Sequence, residues 1–233
     1  MKLAIRVDDL GWTATETATP PIKETDIGLR LAQAFHAAMG GTPYLGAVIP
    51  STLDGEGLAW LDSNPEGLTV ALHGFTHRKS GTVANEFHGM DELRCRNRLG
   101  HATKALGRRT THFVPPFNGI NTELVDALWY EGVRYIWGAP SEWETPPQPY
   151  GMGKLLFVPS WLPLYGAAQC RMNDQTPALI PNIPRVMQLP GQAVLTLHIT
   201  WEAAHDDDFA GVRKLVDMIR RNVITPAEFV NDR

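Results

Sequence analysis

Three apolar, strand-like runs in this chain each end on polar side chains that can carry chemistry. The runs, with the residues that follow them, are Leu3–Val7 before Asp8-Asp9, Leu68–Leu72 before His73-Gly-Phe-Thr-His77, and Ala193–Leu197 before His198. Residues at the carboxyl ends of parallel strands meet at one end of a sheet or barrel. The three pieces therefore indicate one active site whose parts are far apart in the sequence. The fold must be one that brings these strand ends together.

Between these runs, strand-like and helix-like patterns alternate. Apolar residues recur at helical spacing over residues 27–38, 58–61, 90–106, 124–128 and 212–219. Strand-like runs cover residues 4–8, 44–49, 68–72, 111–114, 133–137, 155–158 and 194–197. This alternation is typical of α/β proteins with a largely parallel sheet or barrel, and about seven strands are predicted. Residues 140–192 lack periodicity and are rich in proline and aromatic residues, which predicts long irregular loops around a site or packed on the barrel.

Composition limits the domain organisation and the class of partner. The chain has 233 residues, 43% of them hydrophobic, which predicts one domain with a sizeable core. The formal net charge of -4 argues against nucleic acid or an anionic membrane as the main partner, because both select basic surfaces. The N-terminus lacks the hydrophobic region of a signal peptide, and Cys95 and Cys170 are far apart, so a cytoplasmic protein is predicted. The sequence does not indicate the oligomeric state.

His73 and His77 are four residues apart and directly follow an apolar run. In a loop that leaves a strand, both imidazoles can converge on one point. Two His and one Asp form a facial ligand set for a divalent metal. The other carboxylate of the Asp8-Asp9 pair and His198 are then available as a base and an acid for metal-assisted hydrolysis. The alternative is structural: an Asp pair that begins a turn, and a core histidine bonded to a backbone carbonyl.

A proline-rich loop follows the fourth strand-like run. Paired prolines stiffen it, so the backbone N–H of Phe117 can be held as a donor to a developing oxyanion, and its ring can form an apolar wall. Pro116 and Asn118 are the accompanying candidates for substrate binding, and an ordinary proline-rich turn is the alternative. Trp137 and Trp161 are further candidates, because indole rings stack on sugar faces. Packing of the loops is the alternative for both indoles.

Taken in order, these motifs resemble those of the polysaccharide deacetylases, which form family 4 of the carbohydrate esterases and share chitooligosaccharide deacetylase homology. The family pattern is Thr-Phe-Asp-Asp, His-x-x-x-His, Arg-x-Pro-Tyr-Gly and a late Leu-x-His. The versions here, Arg-Val-Asp-Asp, His-Gly-Phe-Thr-His and Glu-Phe-His-Gly, are similar to a little-characterised intracellular branch. The resemblance spans residues 4–199 and implies a distorted (β/α) barrel of about seven parallel strands.

The resemblance also implies a role for each site residue. Asp8 would be the general base, and His198 would protonate the departing amine. The ligands of the metal, usually zinc but with Co2+, Mn2+, Ni2+ or Fe2+ as further candidates, would be Asp9, His73 and His77. The Phe117 N–H would stabilise the oxyanion. The implied reaction removes an N-acyl group, commonly N-acetyl, from an amino sugar or a small sugar conjugate.

Two departures from the family pattern leave alternatives open. Val114 stands where the family has the Arg that orients the base, and Arg6 is the nearest replacement in the sequence. The Asp-x-x-Asp-Trp motif that tunes the acid histidine is not clearly present, and the available substitutes are Trp137, Glu142, Trp143, Trp161 and Asp174. A hydrolase of another linear or cyclic amide, and an inactive metal- or carbohydrate-binding barrel, are the alternatives. Without a secretion signal, a small N-acylated substrate is favoured over a cell-wall polymer.

Overall fold

Strands and helices alternate along the chain, as the hydrophobic pattern predicts. The structure, a computed structural model, describes residues 2–11, 28–83, 85–138, 148–150, 155–159, 191–199 and 208–231. The strands are β1 (Lys2–Leu10), β2 (Tyr44–Val48), β3 (Leu68–Leu72), β4 (His112–Phe113), β5 (Tyr135–Gly138), β6 (Gln148–Tyr150), β7 (Leu155–Pro159) and β8 (Gln192–His198). The helices are α1 (Leu29–Met39), α2 (Gly55–Asp62), α3 (Glu92–Leu106), α4 (Thr122–Tyr130), α5 (Ala210–Ile219) and α6 (Pro226–Asn231).

The described strands form one curled sheet in the order β6-β7-β5-β4-β3-β2-β1-β8. β1 pairs in parallel with both β2 and β8, and parallel pairing continues through β3, β4, β5 and β7. Seven parallel strands with accompanying helices confirm the predicted α/β fold, a distorted (β/α) barrel. β6 is an eighth strand, antiparallel to β7, that the sequence pattern does not predict.

The alternation of side chains along β1 separates an apolar core from the polar residues of the site. The residues of β1 that pack with the apolar faces of the helices include Leu3, Ile5 and Val7. Ala4 belongs to a second, smaller cluster built mainly from strand residues. Arg6 and Asp8 have the same parity as Ala4, so both project to the sheet face that bears the smaller cluster. Both are buried polar residues.

Local signals set the ends of α3, which the sequence predicts. The Asp91 side chain accepts a hydrogen bond from the backbone N–H of Arg94 at the first turn. Gly107 ends the helix with a φ of 74°, a conformation that costs glycine little. The buried stripe of the helix consists of Cys95, Leu99, Ala102 and Leu106. The helix therefore presents one apolar face to the larger core cluster, as its spacing predicts.

Two short elements depart from the sequence prediction. β6 has three residues, includes Pro149, and is held by its pairing with β7. α6 begins at Pro226, and it follows Thr225, which exchanges hydrogen bonds with Glu228. None of the helices in the described ranges has the length and apolarity needed to cross a membrane.

Candidate active site

The carboxyl ends of β1, β3 and β8 and the loop after β4 surround one cavity. The parallel register places Asp8 of β1 opposite His198 of β8, and His73 directly follows β3. The cavity has a volume of about 220 Å³. Its lining consists of Arg6, Asp8, Asp9, His73, His77, Pro115, Phe117, Asn118 and His198. The structure thus brings together the three polar pieces that the sequence separates.

Asp9, His73 and His77 present their ligand atoms to one point. Asp9 Oδ1 lies 3.5 Å from His73 Nε2 and 3.6 Å from His77 Nε2, and the three ligand atoms lie within 4.8 Å of one another. Atoms bound about 2.1 Å from a tetrahedral ion are separated by about 3.4 Å. The donor spacing and the two-His, one-carboxylate chemistry therefore fit a first-row divalent metal.

A hydrogen bond fixes the orientation of His73. The partner of its Nδ1 is the carbonyl oxygen of Val114, at 2.9 Å. Because a carbonyl can only accept, Nδ1 carries a proton, so Nε2, on the side of Asp9, is the nitrogen that a metal could bind. Val114 occupies the position at which the resembling family carries an Arg, so this position serves the site through its backbone.

Four residues of the cavity adopt left-handed backbone conformations. The φ angles are 65° for Asp9, 51° for His77, 55° for Phe117 and 56° for Asn118. Such conformations cost non-glycine residues on the order of 1–3 kcal/mol each. Only two other non-glycine residues in the described ranges adopt them. The strain is therefore concentrated at the site, and at Asp9 it turns the side chain into the same cavity as that of the adjacent Asp8.

Arg6 holds the carboxylate of Asp8 at both oxygens. Its Nε donates to Asp8 Oδ1 at 2.7 Å, and its Nη2 donates to Oδ2 at 2.5 Å. A further hydrogen bond runs from Nη1 to the backbone oxygen of Trp137 at 3.0 Å. Both charged side chains are buried. Arg6, the residue that the sequence offers in place of the family's arginine, thus contacts Asp8. It does so from β1 rather than from the loop after β4.

Charges in the cavity set the protonation of the two carboxylates. Burial alone would raise the pKa of Asp8, but the Arg6 guanidinium and the neighbouring histidines outweigh burial and lower this pKa. The pKa of Asp9 is also lowered, because the hydrogen bond and the charge of His73, with the charges of the other histidines, exceed the effect of burial. Both carboxylates are therefore ionised at neutral pH, as a base and a metal ligand must be.

The pKa values of the two histidines of the ligand set are shifted in opposite directions. Burial, reinforced by the nearby His73, lowers the pKa of His77 to about 4, so His77 is neutral. Burial also acts to lower the pKa of His73, but the hydrogen bond with Asp9 and the charge of Asp8 raise it above its ordinary value. A metal at this point would compete with a proton for His73 Nε2.

Glu86, which sequence reasoning did not select as a site residue, anchors the loop that carries both histidines. Its carboxylate accepts hydrogen bonds from the backbone N–H groups of Phe75, Thr76 and His77 at 3.1, 3.0 and 2.9 Å. Arg98 Nη1 donates to the same carboxylate at 3.0 Å. No periodic spacing signals these contacts, because Glu86 lies in an irregular segment. The one sequence clue is the Glu-Phe-His-Gly piece that resembles the intracellular branch.

The loop after β4 places Phe117 against the ligand set. The ring centroids of Phe117 and His77 are 4.4 Å apart. Within the described residues, the Phe117 N–H makes no hydrogen bond, which leaves it available to a reacting group. Pro115 lines the cavity, whereas Pro116 is buried and packs towards Gly74. Among the described residues, Pro115 rather than Pro116 therefore borders the cavity, and contact of Pro116 with a substrate stays a prediction.

His198 lies on the solvent side of the cavity. Its Nε2 is 3.5 Å from Asp8 Oδ2, and 50% of its side chain is exposed. Asn118 is also exposed, and its Oδ1 accepts a hydrogen bond from Arg6 Nη2 at 3.5 Å. An imidazole that contacts both solvent and a buried carboxylate can move a proton between bulk water and a bound group.

Trp137 is not among the described residues that line the cavity, which favours packing, the alternative to stacking on a sugar. The side chain is fully buried, and its Nε1–H donates to His112 Nδ1 at 2.9 Å. Burial lowers the pKa of His112 to about 4, so this imidazole stays neutral and keeps its acceptor. The backbone oxygen that binds Arg6 is the contribution of Trp137 to the site. The remaining sequence candidates, Trp161, Glu142, Trp143 and Asp174, lie outside the described residues.

No family model and no curated protein sequence matches this chain. Solved structures do match it. A Mycobacterium smegmatis protein assigned as a polysaccharide deacetylase is 17% identical over 99% of this chain and 88% of that protein, with a TM-score of 0.69. An allantoinase is 11% identical over 98% of this chain and 88% of its own, with a TM-score of 0.64. A family 4 carbohydrate esterase pseudoenzyme from Bacillus anthracis is 11% identical over 98% of this chain and 65% of its own, with a TM-score of 0.56.

These matches concern the fold rather than the reaction. A deacetylase, an allantoinase and a pseudoenzyme share one backbone architecture, so the architecture alone does not select among their activities. The side chains of the cavity must make that distinction. The strand order and the matched structures show that this chain has the fold that the matched polysaccharide deacetylase, allantoinase and pseudoenzyme structures share.

Proposed function

We propose that this chain is a metal-dependent hydrolase that removes an N-acyl group, most simply N-acetyl, from an amino sugar or a small sugar conjugate. The observation that carries the proposal is a three-ligand set next to an Arg-held carboxylate and an imidazole in one cavity. A binding protein requires only the ligand set. Hydrolysis of an amide also requires a base and an acid, and Asp8 and His198 supply these two groups.

The geometry supports different roles for the two adjacent aspartates. Arg6 occupies both carboxylate oxygens of Asp8, whereas Asp9 Oδ1 faces the two imidazoles. The metal ligands would therefore be Asp9, His73 and His77. A divalent ion held there, with Zn2+ as the proposed native ion, would supply Lewis acidity and would lower the pKa of a bound water.

The remaining steps belong to side chains and backbone of the cavity. Asp8, ionised because Arg6 lowers its pKa, would accept a proton from the attacking water. As the acyl carbon becomes tetrahedral, the Phe117 N–H would donate to the developing oxyanion. His198 would then give a proton to the nitrogen while the C–N bond breaks. The products are a carboxylate, acetate for an N-acetyl substrate, and a free amine.

Metal content and acetate release test the proposal together. Wild-type protein should bind about one Zn2+ per chain and release acetate from members of a panel of N-acetylated amino sugars. Asp8→Asn should keep the metal but lose turnover by about 100-fold or more, because it removes the base. His73→Ala should lose the metal. Wild-type protein that holds no metal after reconstitution would contradict the ligand assignment and the deacetylase proposal.

Cyclic and other linear amides in the same panel test the alternative hydrolase. Turnover of such an amide without acetate release from any N-acetyl sugar would assign that activity instead. A binding protein would differ from both kinds of hydrolase. Neither the wild type nor Asp8→Asn would turn over any substrate, and the two would bind the ligand with equal affinity.

A further inference from the structure

We propose that Glu86 is a positioning residue that holds the loop between His73 and His77 in its metal-binding shape. The proposal rests on the proposed metal site, and it adds a residue that is not itself one of the three ligands. The support comes from the contacts of one buried carboxylate with the backbone of the loop.

Glu86 collects three consecutive backbone donors. The N–H groups of Phe75, Thr76 and His77 donate to its carboxylate, and the Thr76 hydroxyl adds a hydrogen bond at 3.3 Å. Successive N–H groups converge on one anion only where the chain bends around it. Positive φ angles of 68° at Gly74 and 51° at His77 accompany this bend. The carboxylate therefore stabilises a strained loop shape that aims His77 at Asp9.

The position of Glu86 is itself fixed. Its side chain is 0% exposed, and the Arg98 guanidinium balances its charge. The adjacent Phe87 is fully buried and packs edge-on against Phe113 of β4, with ring centroids 6.1 Å apart. Asn85 Oδ1 accepts the Phe87 N–H at 2.8 Å. Packing of Phe87 thus fixes Glu86 beside β4, and the hydrogen bonds of Glu86 fix the loop in turn.

The packing around Gly74 leaves no room for a side chain at this position. A Cβ at this position would lie 2.3 Å from Glu86 Oε2 and 2.5 Å from Pro116 Cγ. The ligand loop, Glu86 and the turn that contains Pro116 are therefore in close mutual contact. A change at Glu86 would be transmitted to His77 through its backbone N–H, and so to the distance between His77 and Asp9.

Metal affinity provides the first test, with Zn2+ and Co2+ alone as probes. Glu86→Gln keeps the size and one acceptor oxygen but sets an amide donor against the loop N–H groups. We expect its Zn2+ affinity, measured by chelator competition, to fall roughly 10–100-fold, and that of Glu86→Ala to fall further. The Co2+ absorption band should change shape or intensity in both variants. Asp91→Asn, which neutralises the carboxylate that caps α3, is the matched control and should bind both ions as wild type does.

Amide hydrogen exchange in metal-free protein provides the second test. The N–H groups of Phe75, Thr76 and His77 should exchange about tenfold faster in Glu86→Gln, while those of α3 keep their wild-type rates. Faster exchange along the whole chain would overturn the proposal, because Glu86 would then act on general stability. Equal Zn2+ affinity in wild type and Glu86→Gln would overturn this proposal alone. A wild type that binds no metal would overturn it together with the proposed function.

Discussion

At the scale of single residues, Arg6 and Asp8 form an ion pair whose members depend on each other. The contact is two-pronged and buried on both sides. Removal of one member of a buried pair leaves an uncompensated charge, whereas removal of both leaves none. Arg6 therefore has two effects. It keeps Asp8 ionised, as the proposed base must be, and its pairing with Asp8 stabilises the fold.

A double-mutant cycle measures this dependence. We expect Arg6→Met to lower the free energy of unfolding by about 3–5 kcal/mol, and Arg6→Met with Asp8→Asn to cost much less than the sum of the single changes. Urea unfolding of the four proteins gives the coupling energy. The exposed pair of Arg213 and Asp208, 2.8 Å apart, is the control cycle and should couple by less than about 1 kcal/mol. Similar coupling in the two cycles would contradict the role assigned to Arg6.

The contacts of a single residue can be predicted from the sequence where a short-range rule applies. The two-residue period of a strand places Arg6 on the face of Asp8, which is the contact that the structure has. No such rule applies to Glu86, because its partners lie across an irregular segment. Trp137 shows a different limit. An indole in a strand can face the core or a cavity, and its hydrogen bond with His112 of the neighbouring strand places it in the core.

At the scale of elements, helices with caps and apolar stripes follow from local sequence. α1 and α3 end at Gly40 and Gly107, both in left-handed conformations. β6 could not be predicted in this way, since three residues that include a proline form a strand only through their partner β7. α6 did offer a signal. Thr225 and Glu228 form a capping box, with Pro226 at the first helical position.

The loop after β3 allows a matched comparison of two glycines. Gly74 and Gly81 both have positive φ angles, 68° and 61°, so alanine should incur a similar backbone cost at either position, about 1–2 kcal/mol. A Cβ at Gly81 meets nothing within 4 Å, whereas one at Gly74 meets Glu86 and Pro116. We expect Gly74→Ala to destabilise the fold by about 1–3 kcal/mol more than Gly81→Ala, and to weaken Zn2+ binding as well. Equal unfolding midpoints and equal Zn2+ affinities would show that the contacts of Gly74 do not constrain the loop.

At the scale of the whole molecule, the strand order assembles the site. β3, β2, β1 and β8 are successive neighbours in the sheet, so residues from distant parts of the sequence meet at one end. Alternating patterns and motif order both depend on this parallel topology, which is why the sequence predicts the fold class. The same topology in an allantoinase and in a pseudoenzyme shows why it does not predict the reaction.

Because Asp9 lies on β1 and both histidines lie in the loop after β3, a bound metal should link separate parts of the sheet and stabilise the entire fold. At a Zn2+ concentration 100 times the Kd, the free energy of unfolding should rise by about 2.7 kcal/mol. In a chain of this size that increment raises the Tm by roughly 5–10 °C, and a chelator should reverse it. His73→Ala should show no shift. His36→Ala, which removes a histidine bonded to Tyr44 outside the cavity, should retain the full shift. A shift of wild-type size in His73→Ala would locate the stabilising metal elsewhere and contradict the ligand set.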